Sequence, residues 1–504
     1  MSFLKEKFNQ SQLRFPDQIA IEVGKEQFSY NQLDQTVDKI NGVIKSLQLQ
    51  KKAIVVFNDH SFLSYASLLS VHFTNNTILP IEISWPINRV VGILKDVMPA
   101  ALIISNNKDE IMNFIGQIEE FKNCYFIDAA SGFLLHQPDQ KALHIHTQYD
   151  EIAYIIFTSG STGIPKGVPV KTESLDSFLR YFNNNYDFKE NDRFLQVYDI
   201  TFDVAYFSFL VPLCHGSCCC IMNFKKGVPK YLSIIDDLLT SNITVVSMVP
   251  TVLHFIKKYI KKYHQPSVRY SFFSGDALYH SDALVWREFV PSAAIHNFYG
   301  PTETTIVCTR YIWEEQAAAK ESLNDIVPLG KPFPSLLFKI VDEANQAVPD
   351  GEVGNLSFSG DMVIDNYLNG VHPEKFFVDQ YNEKRIIYYK TGDLASINEF
   401  GNIIFHGRID HQVKINGYRI EISEVRLAIE KLTKLKCIVI KNHNEGNIDY
   451  LKAYIEGREM PVHKIMEQLK EYIPEYMIPT QYAFLPQFPL SDNNKIDMLQ
   501  LQTI

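Results

Sequence analysis

The stretch that decides the fold is residues 158–168, "TSGSTGIPKGV", which directly follows the apolar run "AYIIF" at residues 153–157. Glycines let a backbone turn tightly and approach a ligand closely. The N–H groups and hydroxyls of such a loop, together with one lysine, can bind phosphate oxygens. The loop lacks the Gly-Lys-Ser/Thr ending of a P-loop, because Lys166 is followed by Gly167. We therefore predict a strand followed by a phosphate-binding loop of another type, with a flexible Gly/Ser-rich surface loop as the alternative.

The composition is that of a soluble globular protein with more than one domain. The 504 residues exceed what one hydrophobic core usually supports, and 46% of them are hydrophobic and 21% charged. The net charge of −10 argues against a nucleic-acid-binding protein, which normally has a basic face. The N-terminal "MSFLKEKFNQSQ" has no apolar signal core, and no uninterrupted apolar run has membrane-spanning length. We therefore expect a cytoplasmic protein without membrane insertion.

The seven cysteines are consistent with that compartment, since most lie in apolar stretches rather than in a paired framework. The stretch "CHGSCCCI" at residues 214–221 suggests a zinc site. Three adjacent cysteines, however, alternate between the two faces of a strand and cannot all converge on one ion. We expect these cysteines to be small buried side chains.

Apolar runs alternate with helix-like segments along most of the chain. Candidate strands are "KAIVVF", "TILPI", "AALIIS", "NCYFID", "IAYIIF", "CCCIM" and "ITVVSMV", and the segments "YNQLDQTVDKINGVIKSL" and "YLSIIDDLLTSN" have helical apolar spacing. This alternation predicts α/β layers with largely parallel sheets. Short strands separated by turn residues predict an antiparallel, β-barrel-like part at about 335–408. A helix–strand–strand–helix pattern predicts a small separate domain at 409–504.

Five short polar motifs follow the opening loop: "FDVAYF", "NFYGPTETT", "YKTGDL", "FHGRID" and "LSDNNKID". Singly, each motif is also compatible with an ordinary turn or a solvated charge. Together with "TSGSTGIPKG" and "GRIDHQVKINGYRIE", and in this order, they make the chain resemble the adenylate-forming superfamily over almost its full length. That superfamily includes acyl-CoA synthetases, firefly luciferase and the amino-acid-activating domains of nonribosomal peptide synthetases.

The resemblance implies an α/β (α+β multidomain) fold. Residues 1–408 would form a large N-terminal adenylation core of two α/β layered subdomains and the β-barrel-like part, and residues 409–504 a mobile C-terminal domain that rotates about a hinge near Asp410. It also implies a two-step reaction. A carboxylate oxygen attacks the α-phosphorus of ATP to give an acyl-AMP and pyrophosphate, and a thiol then displaces AMP to form a thioester. The first step needs charge neutralisation and alignment more than a protein nucleophile.

By the same resemblance, three residues would be catalytic. Thr302 would contact the α-phosphate, and Glu303 would hold Mg²⁺, a hard cation suited to carboxylate and phosphate oxygens. Lys495 would bridge the attacking carboxylate and the phosphate. It follows Asn493 and Asn494, where the family usually has Asn-Gly, and asparagine is the next-best residue for a left-handed backbone.

The remaining nucleotide contacts are assigned in the same way. Tyr299 would stack on adenine, and Asp393 would accept hydrogen bonds from the ribose hydroxyls with the help of Arg408. The full set of nucleotide-binding residues implied by the resemblance is Thr158, Ser159, Ser161, Thr162, Lys166, Gly275, Asn297, Phe298, Tyr299, Gly300, Pro301, Thr302, Asp393, Phe405, Arg408 and Lys495.

Asp203 indicates the class of substrate. In the amino-acid-activating members of the superfamily, an aspartate at this position pairs with the α-ammonium of the substrate, and such a pair in a desolvated pocket disfavours acids that lack the ammonium. Three phenylalanines in the pocket would leave room for only a small uncharged side chain. The expected substrate-binding residues are Asp203, Val204, Phe207, Ser247, Phe272, Ser274, Phe298, Ile306 and Val307.

At this level the chain is most similar to stand-alone D-alanine:carrier-protein ligases, and D-alanine is the leading candidate substrate. Those ligases have cysteine in place of Ser274 and threonine in place of Phe298. The alternatives are a stand-alone nonribosomal peptide adenylation enzyme for another small L-amino acid (alanine, glycine, proline or serine), a small-acid coenzyme-A ligase and an inactive binding homologue. We expect a monomer that acts with a phosphopantetheinylated carrier protein on a separate chain and with no nucleic acid.

Overall fold

The computed structural model describes residues 2–138, 147–160, 163–222, 230–381, 384–410, 412–415, 417–443, 449–489, 496 and 498–502. The expected alternation of strands and helices is confirmed, because every apolar run quoted above contains a strand and both helix-like segments contain a helix. No helix in the described part of the chain combines the length and the apolar character that crossing a bilayer requires. The α-helices are α1 Phe3–Arg14, α2 Tyr30–Ser46, α3 Phe62–Phe73, α4 Ile87–Val97, α5 Lys108–Ile115, α6 Thr172–Asn185, α7 Val204–Leu213, α8 Lys230–Thr240, α9 Pro250–Ile260, α10 His280–Phe289, α11 Glu315–Glu321, α12 Ile422–Thr433, α13 Val462–Leu469 and α14 Met498–Gln502.

The strands of the described residues lie in five sheets, and short 3₁₀ helices connect some of them. The 3₁₀ helices are Glu119–Asn123, Thr302–Thr304, Leu368–Gly370, Pro373–Lys375 and Glu475–Met477. The strands are β1 Ile19–Val23, β2 Glu26–Ser29, β3 Ala53–Phe57, β4 Thr77–Ile81, β5 Ala101–Ile104, β6 Tyr125–Asp128, β7 Phe133–His136, β8 Ile152–Thr158, β9 Lys166–Lys171, β10 Arg193–Gln196, β11 Cys218–Ile221, β12 Val245–Met248, β13 Tyr270–Phe273, β14 Ala294–Tyr299, β15 Thr309–Trp313, β16 Lys331–Pro332, β17 Leu336–Val341, β18 Gly354–Gly360, β19 Phe376–Tyr381, β20 Lys384–Ile397, β21 Ile403–Arg408, β22 Gln412–Ile415, β23 Tyr418–Glu421, β24 Cys437–His443, β25 Asp449–Glu456 and β26 Gln481–Leu485.

Two large sheets form the α/β layers. One has the order β7-β6-β5-β3-β4-β8-β9 and the other the order β16-β15-β14-β13-β12-β10-β11-β1-β2. Their central pairs are parallel, while β2, β7, β15 and β16 pair antiparallel toward the edges. The prediction of largely parallel sheets is therefore confirmed.

The antiparallel part predicted from about residue 335 is a five-stranded sheet. Its order is β17-β18-β20-β19, and β21 pairs with the long strand β20. The pairings among the described strands follow an open path, so this part is an antiparallel sheet rather than a closed barrel.

Helix α2 shows how local sequence sets these elements. The side chain of Ser29 accepts a hydrogen bond from the Gln32 N–H, and the side chain of Gln32 accepts one from the Ser29 N–H, which is a capping box. Leu33, Val37 and Ile40 then recur at helical spacing and are buried. The helix is thus fixed by its first turn and by one apolar face.

The chain divides into two compact units. The first comprises Met1–Ile83, Leu94–Ile156 and Gly167–Ile409, and the second comprises Ser84–Ile93, Phe157–Lys166 and Asp410–Ile504. The second unit has its own core, to which Val425 and Ile429 of α12, Val439 of β24 and Leu469 of α13 contribute. Two short segments from the first third of the sequence therefore belong with the C-terminal part.

All seven cysteines are buried free thiols. Cys218 and Cys220 lie on one face of β11, with their sulfur atoms 3.7 Å apart, and burial raises the pKa of the Cys219 thiol well above its ordinary value. The expectation that these cysteines are small buried side chains is confirmed.

Candidate active site

The carboxyl ends of β12, β13 and β14 form one edge of the nine-stranded sheet. These strands are parallel neighbours, with Ser247 beside Phe272 and Phe272 beside His296. Since alternate residues of a strand share a face, Phe298 and Ser274, just beyond β13, continue the face that carries Phe272. Ligands of open α/β sheets bind at this kind of edge. The structure thus brings together four of the expected substrate-binding residues.

Phenylalanine rings fill the space over this face. The ring centroid of Phe207 in α7 lies 5.2 Å from that of Phe272, and the centroids of Phe272 and Phe298 are 5.4 Å apart. Phe182 of α6 lies 4.8 Å from Phe207 and 5.5 Å from Phe298. The three expected lining phenylalanines are at most 3% exposed. Rings packed this closely leave little volume for a substrate side chain.

The other expected apolar lining residues belong to the same core cluster. Ile306 and Val307 are buried, and Val204, the first residue of α7, is half-buried against the cluster.

Asp203 lies at the N-terminus of α7, but its side chain does not cap the helix. Its Oδ2 atom is buried. The rings of Tyr154 and Tyr206 stack nearby with centroids 4.7 Å apart, and the pKa of each tyrosine is raised by burial and, to a smaller extent, by the negative charge of Asp203. A carboxylate in such surroundings favours a cationic partner.

Glu303 lies in the 3₁₀ turn Thr302–Thr304, where Thr302 is half-buried. Glu303 itself is fully buried, and its Oε1 atom accepts a hydrogen bond of 2.6 Å from the Tyr367 hydroxyl. The Tyr367 hydroxyl is in turn 3.3 Å from that of Tyr389. The carboxylate is therefore held in one orientation.

The backbone around this turn is tightly folded. A Cβ atom at Gly300 would lie 2.5 Å from the Cα atom of Val307, so only glycine fits there. Thr305 and Ile306 have φ values of 59° and 71°, a region that β-branched residues rarely adopt. The hydroxyl of Thr305 is anchored to the Met362 carbonyl at 2.6 Å. Strain of this kind concentrates at functional sites.

Asp393 is shared between two partners. The Tyr299 hydroxyl donates to its Oδ2 atom at 2.5 Å, and the Arg408 Nη1 atom donates to its Oδ1 atom at 2.5 Å. Arg408 also donates to the Thr391 carbonyl at 3.2 Å, which fixes the guanidinium. Burial and the adjacent carboxylate raise the pKa of Tyr299 well above its ordinary value, so its hydroxyl keeps its proton. Three of the residues expected to bind the nucleoside thus form one cluster.

Asn297 of β14 has one side-chain acceptor that no described residue meets. Its Nδ2 atom donates to the Pro328 carbonyl at 2.9 Å, whereas its Oδ1 atom is buried and has no hydrogen-bond partner among the described residues.

Gly275 has a φ of 91°, and a Cβ atom there would lie 3.0 Å from a Val249 methyl carbon. Phe405 is half-buried opposite Ala395 in the β20–β21 pair, and Pro301 is half-buried before the 3₁₀ turn.

The glycine- and hydroxyl-rich loop belongs to the second unit. The Thr158 Oγ1 atom, at the end of β8, is buried and has no hydrogen-bond partner among the described residues, while the Ser159 hydroxyl donates to the Arg419 carbonyl at 3.0 Å. A Cβ atom at Gly160 would lie 1.9 Å from the Ile164 carbonyl oxygen, so the turn requires glycine. Lys166 begins β9 and is 5% exposed.

A buried ion pair lies close to this loop within the second unit. Arg89 Nη1 is 2.9 Å from Glu424 Oε1, and both side chains are at most 4% exposed. Burial raises the pKa of Glu424, and the opposing effects of Arg89 and of a hydrogen bond from the Gly160 N–H only partly offset it.

Three expected site residues, Ser161, Thr162 and Lys495, lie outside the described residues. Asp410 is described: its Oδ1 atom accepts a hydrogen bond of 3.3 Å from the Gln412 N–H at the start of β22.

The structure adds polar residues that the sequence motifs did not indicate. Tyr198 extends toward Ser247 and Ser274, His296 lies between the lining phenylalanines and Tyr186, and Tyr367 orients Glu303. His60, Asn58 and Asp199 form a hydrogen-bonded cluster where β3 and β10 end. For Tyr198 the stretch "YDI", just before "FDVAYF", was a local signal in the sequence. The other residues are brought to the site by contacts between distant segments.

Comparison with known protein families gives one match that covers most of the chain. The family model described as "AMP-binding enzyme" matches residues 8–368. The chain belongs to the AMP-binding enzyme family. The resemblance to the adenylate-forming superfamily is thereby confirmed.

Individual relatives of this AMP-binding enzyme include peptide synthetases and carrier-protein ligases. It is 28% identical over 495 residues to tyrocidine synthase 3 of Brevibacillus parabrevis, covering 97% of this chain and 7% of that protein. It is 28% identical over 502 residues to a D-alanine–D-alanyl carrier protein ligase of Listeria monocytogenes, covering 97% of this chain and 96% of that one. The chain thus spans less than a tenth of the first relative and almost all of the second.

Solved structures share the fold of this AMP-binding enzyme. The adenylation domain AlmE of Vibrio cholerae, in complex with glycyl-adenosine-5'-phosphate, has a TM-score of 0.84 at 21% identity and covers 100% of this chain and 98% of its own. The amide bond synthetase McbA of Marinactinospora thermotolerans has a TM-score of 0.83 at 14% identity, with 100% and 99% covered.

AMP-binding enzymes use ATP with Mg²⁺, and residues of this chain fit both. The buried Asn297 Oδ1 atom is an acceptor suited to the amino group of adenine, and the buried Thr158 hydroxyl is a donor suited to a phosphate oxygen. Glu303 offers one oriented carboxylate. Among the described residues no three or more His, Cys, Asp or Glu side chains are grouped to hold a metal ion. Mg²⁺ usually takes one or two carboxylates together with substrate phosphates.

Proposed function

We propose that this AMP-binding enzyme activates a small amino acid as an aminoacyl-AMP with release of pyrophosphate, and then transfers the aminoacyl group to the phosphopantetheine thiol of a separate carrier protein. The observation that carries the proposal is the buried carboxylate oxygen of Asp203 beside Tyr154 and Tyr206. A substrate ammonium at this position gains a charge-assisted hydrogen bond. An acid without the ammonium brings no positive charge to the buried carboxylate, so it is disfavoured.

The size of the substrate follows from the rings of Phe207, Phe272 and Phe298, which contact one another or the shared neighbour Phe182. Their packing favours alanine, glycine, proline or serine over larger or ionic side chains. D-alanine is the leading candidate, because the Listeria relative covered over almost its full length is named a D-alanine–D-alanyl carrier protein ligase. A small L-amino acid is the alternative that the peptide synthetase relatives support.

ATP supplies the activated phosphorus that the substrate carboxylate attacks. The residues of the chain hold and align it. Lys166 and Thr158 would bind the β- and γ-phosphates and Thr302 the α-phosphate, while Glu303 would hold Mg²⁺. Because charge on the phosphates is neutralised by groups already in place, alignment supplies most of the catalysis.

Asp393 would bind the ribose. Its Oδ1 atom is held by Arg408, so the ribose hydroxyls would share or take over the Oδ2 atom, which now accepts from Tyr299. Tyr299 would then stack on adenine, and the Asn297 Oδ1 atom would accept a hydrogen bond from the adenine amino group. Arg408 thus keeps the carboxylate in place while its second oxygen exchanges partners.

The thioester step would require a change of conformation. Asp410 is the proposed hinge. Rotation about it would withdraw Lys495 after adenylation, and the "KINGYRIE" segment would take the place of Lys495. A monomer working with a separate carrier protein is the simplest arrangement for such a cycle.

The experiment is ATP–pyrophosphate exchange across a panel of D- and L-amino acids, followed by transfer assays to carrier proteins and to coenzyme A. Asp203→Asn should abolish amino-acid-dependent exchange because it removes the charge and keeps the size. Asp365→Asn, at an exposed carboxylate that pairs with Lys171, is the matched control and should behave as wild type. Undiminished amino-acid turnover by Asp203→Asn, or exchange only with acids that lack an ammonium, would contradict the proposal.

A further inference from the structure

We infer that Tyr198 is a further specificity-determining residue of the amino-acid pocket and that, with Ser247 and Ser274, it selects a substrate whose side chain carries a hydroxyl group. The inference rests on the proposed function and narrows its substrate class. Among the small amino acids it favours serine over alanine, and therefore also over the D-alanine that the name of the Listeria relative supports.

Tyr198 stands at the sheet edge that carries the pocket. Phe194 of β10 pairs with Val245 of β12, so the alternating residues that follow on each strand, Gln196 and Ser247, continue one shared face. Tyr198 comes two residues after Gln196 and directly before the turn that leads to Asp203. In the sequence it therefore stands between a strand of the pocket floor and the proposed ammonium-binding carboxylate.

The hydroxyl group of Tyr198 is buried although the residue as a whole is half-buried. Burial raises the pKa of Tyr198, and the Ser247 and Ser274 hydroxyls, which lie beside it, partly offset that effect. No described residue meets the Tyr198 hydroxyl in good hydrogen-bond geometry. Three hydroxyl groups thus converge on one small space, and one of them lacks a well-aligned partner.

The position of Tyr198 is fixed on both sides. Its N–H donates to the Gln196 Oε1 atom at 3.3 Å. The next residue, Asp199, is 3.0 Å from His60 Nε2 and accepts from Asn58 at 3.3 Å. Because the backbone here is anchored, the tyrosine presents its hydroxyl to the pocket in a defined place rather than turning away.

A substrate hydroxyl complements this arrangement. It can accept from the Tyr198 hydroxyl and donate to a serine oxygen, whereas an alanine methyl leaves the buried tyrosine hydroxyl with only the poorly aligned Ser247 and Ser274 hydroxyls. Sites built to hydrogen-bond a substrate hydroxyl discriminate strongly against the analogue that lacks it. The surrounding phenylalanine rings exclude longer polar side chains by volume, so serine is the amino acid that satisfies both constraints.

The test compares kcat/KM for serine and alanine, each as both enantiomers, in ATP–pyrophosphate exchange. We expect wild type to prefer serine at least about tenfold, and Tyr198→Phe to lower the serine-to-alanine ratio about tenfold or more through the loss on serine alone. Ser274→Ala should change the ratio in the same direction and provides the test if Tyr198→Phe does not fold. Tyr454→Phe is the matched control, because it removes another buried tyrosine hydroxyl without a partner among the described residues, in the second unit.

The outcomes separate the two proposals. This inference would be overturned, while amino-acid activation stands, by either of two results. One is a serine-to-alanine ratio of kcat/KM that Tyr198→Phe and Ser274→Ala leave unchanged, and the other is a wild-type preference for alanine. Exchange with none of the amino acids would overturn both. If Tyr454→Phe lowered the serine-to-alanine ratio of kcat/KM as much as Tyr198→Phe does, the effect would be a general one of losing a buried hydroxyl. That result would also overturn the inference.

Discussion

Asp393 and Arg408 face each other in register across the β20–β21 pair, and the Arg408 guanidinium holds one oxygen of the Asp393 carboxylate at 2.5 Å. The other oxygen accepts from Tyr299. A single carboxylate thereby links the end of the large sheet to the antiparallel sheet that follows it. Its orientation depends on the arginine, since the tyrosine bond is the one that a ribose would replace.

Arg408→Met should therefore weaken nucleotide binding. The buried Asp393 carboxylate loses a charge-assisted hydrogen bond, which is worth about 1.5–3 kcal/mol, so KM for ATP in pyrophosphate exchange should rise about tenfold or more. Arg385→Met, at an exposed position on the same strand β20, is the control and should leave KM unchanged. An unchanged KM in Arg408→Met would show that Asp393 does not depend on this partner.

Glu303→Gln tests the Mg²⁺ site. Glutamine keeps an oxygen that can accept from Tyr367 but loses the negative charge, so exchange should fall about 100-fold or more while the unfolding temperature changes little. Tyr367→Phe keeps the charge and removes only the orienting hydrogen bond, and should cost much less activity. Equal losses in the two variants would argue that Glu303 acts through structure rather than as a metal ligand.

Substitution by alanine should change the stability of the protein in opposite directions at two glycines, Gly300 and Gly42. Gly300→Ala places a Cβ atom 2.5 Å from the Cα atom of Val307 and should lower both stability and exchange activity. Gly42→Ala, inside α2, meets no heavy atom within 4 Å and should stabilise the protein by up to about 1 kcal/mol through helix propensity. Thermal unfolding of the two variants measures both effects, and a neutral Gly300→Ala would be the contrary result.

Removing only one partner of the Arg89–Glu424 ion pair should strongly lower the free energy of unfolding. Arg89→Met leaves Glu424 as a buried charge without its cationic partner, for which a loss of about 3–5 kcal/mol is expected. Adding Glu424→Gln should restore much of that loss, because the uncompensated charge disappears. A double-mutant cycle in denaturant unfolding measures this coupling, and strict additivity would show that the pair contributes nothing.

His72 should make the protein less stable in mild acid. Burial and then the nearby charge of Lys5 lower its pKa from 6.5 to about 4, so the unfolded chain binds the proton first as the pH falls. Stability should therefore decrease from about pH 6.5 down to pH 4, by up to about 3 kcal/mol, and be unaffected by His72 above that range. His72→Gln should flatten this dependence, whereas His463→Gln at an exposed position should not.

The sequence predicted those features that depend on neighbouring residues. The apolar runs predict strands because they are short and several are rich in β-branched residues. Gly160 and Gly300 mark turns that a Cβ atom would block. The motifs "YGPTETT" and "YKTGD" identified Tyr299 and Asp393 by resemblance, but not the hydrogen bond between them.

Contacts between distant segments could not be predicted, because sequence motifs report only on neighbouring residues. Arg89 and Glu424 are 335 positions apart, and His60 and Asp199 are 139 apart, so no local pattern links them. The open pairing of the five-stranded sheet depends likewise on which edges meet, which strand patterns alone do not specify. Tyr198 was missed because a tyrosine between an apolar strand and a turn has an ordinary core explanation.

Ile306, with its left-handed backbone, has a consequence for protein engineering. Glycine or asparagine would relax the φ of 71°, a strain on the order of 1–3 kcal/mol, but either would also remove a buried apolar side chain from the core, which costs on the order of 2–5 kcal/mol. The same exchange would remove a branched side chain from the wall of the proposed binding cavity. Selecting variants for thermal robustness would therefore retain isoleucine at position 306 and, with it, the wall of the cavity.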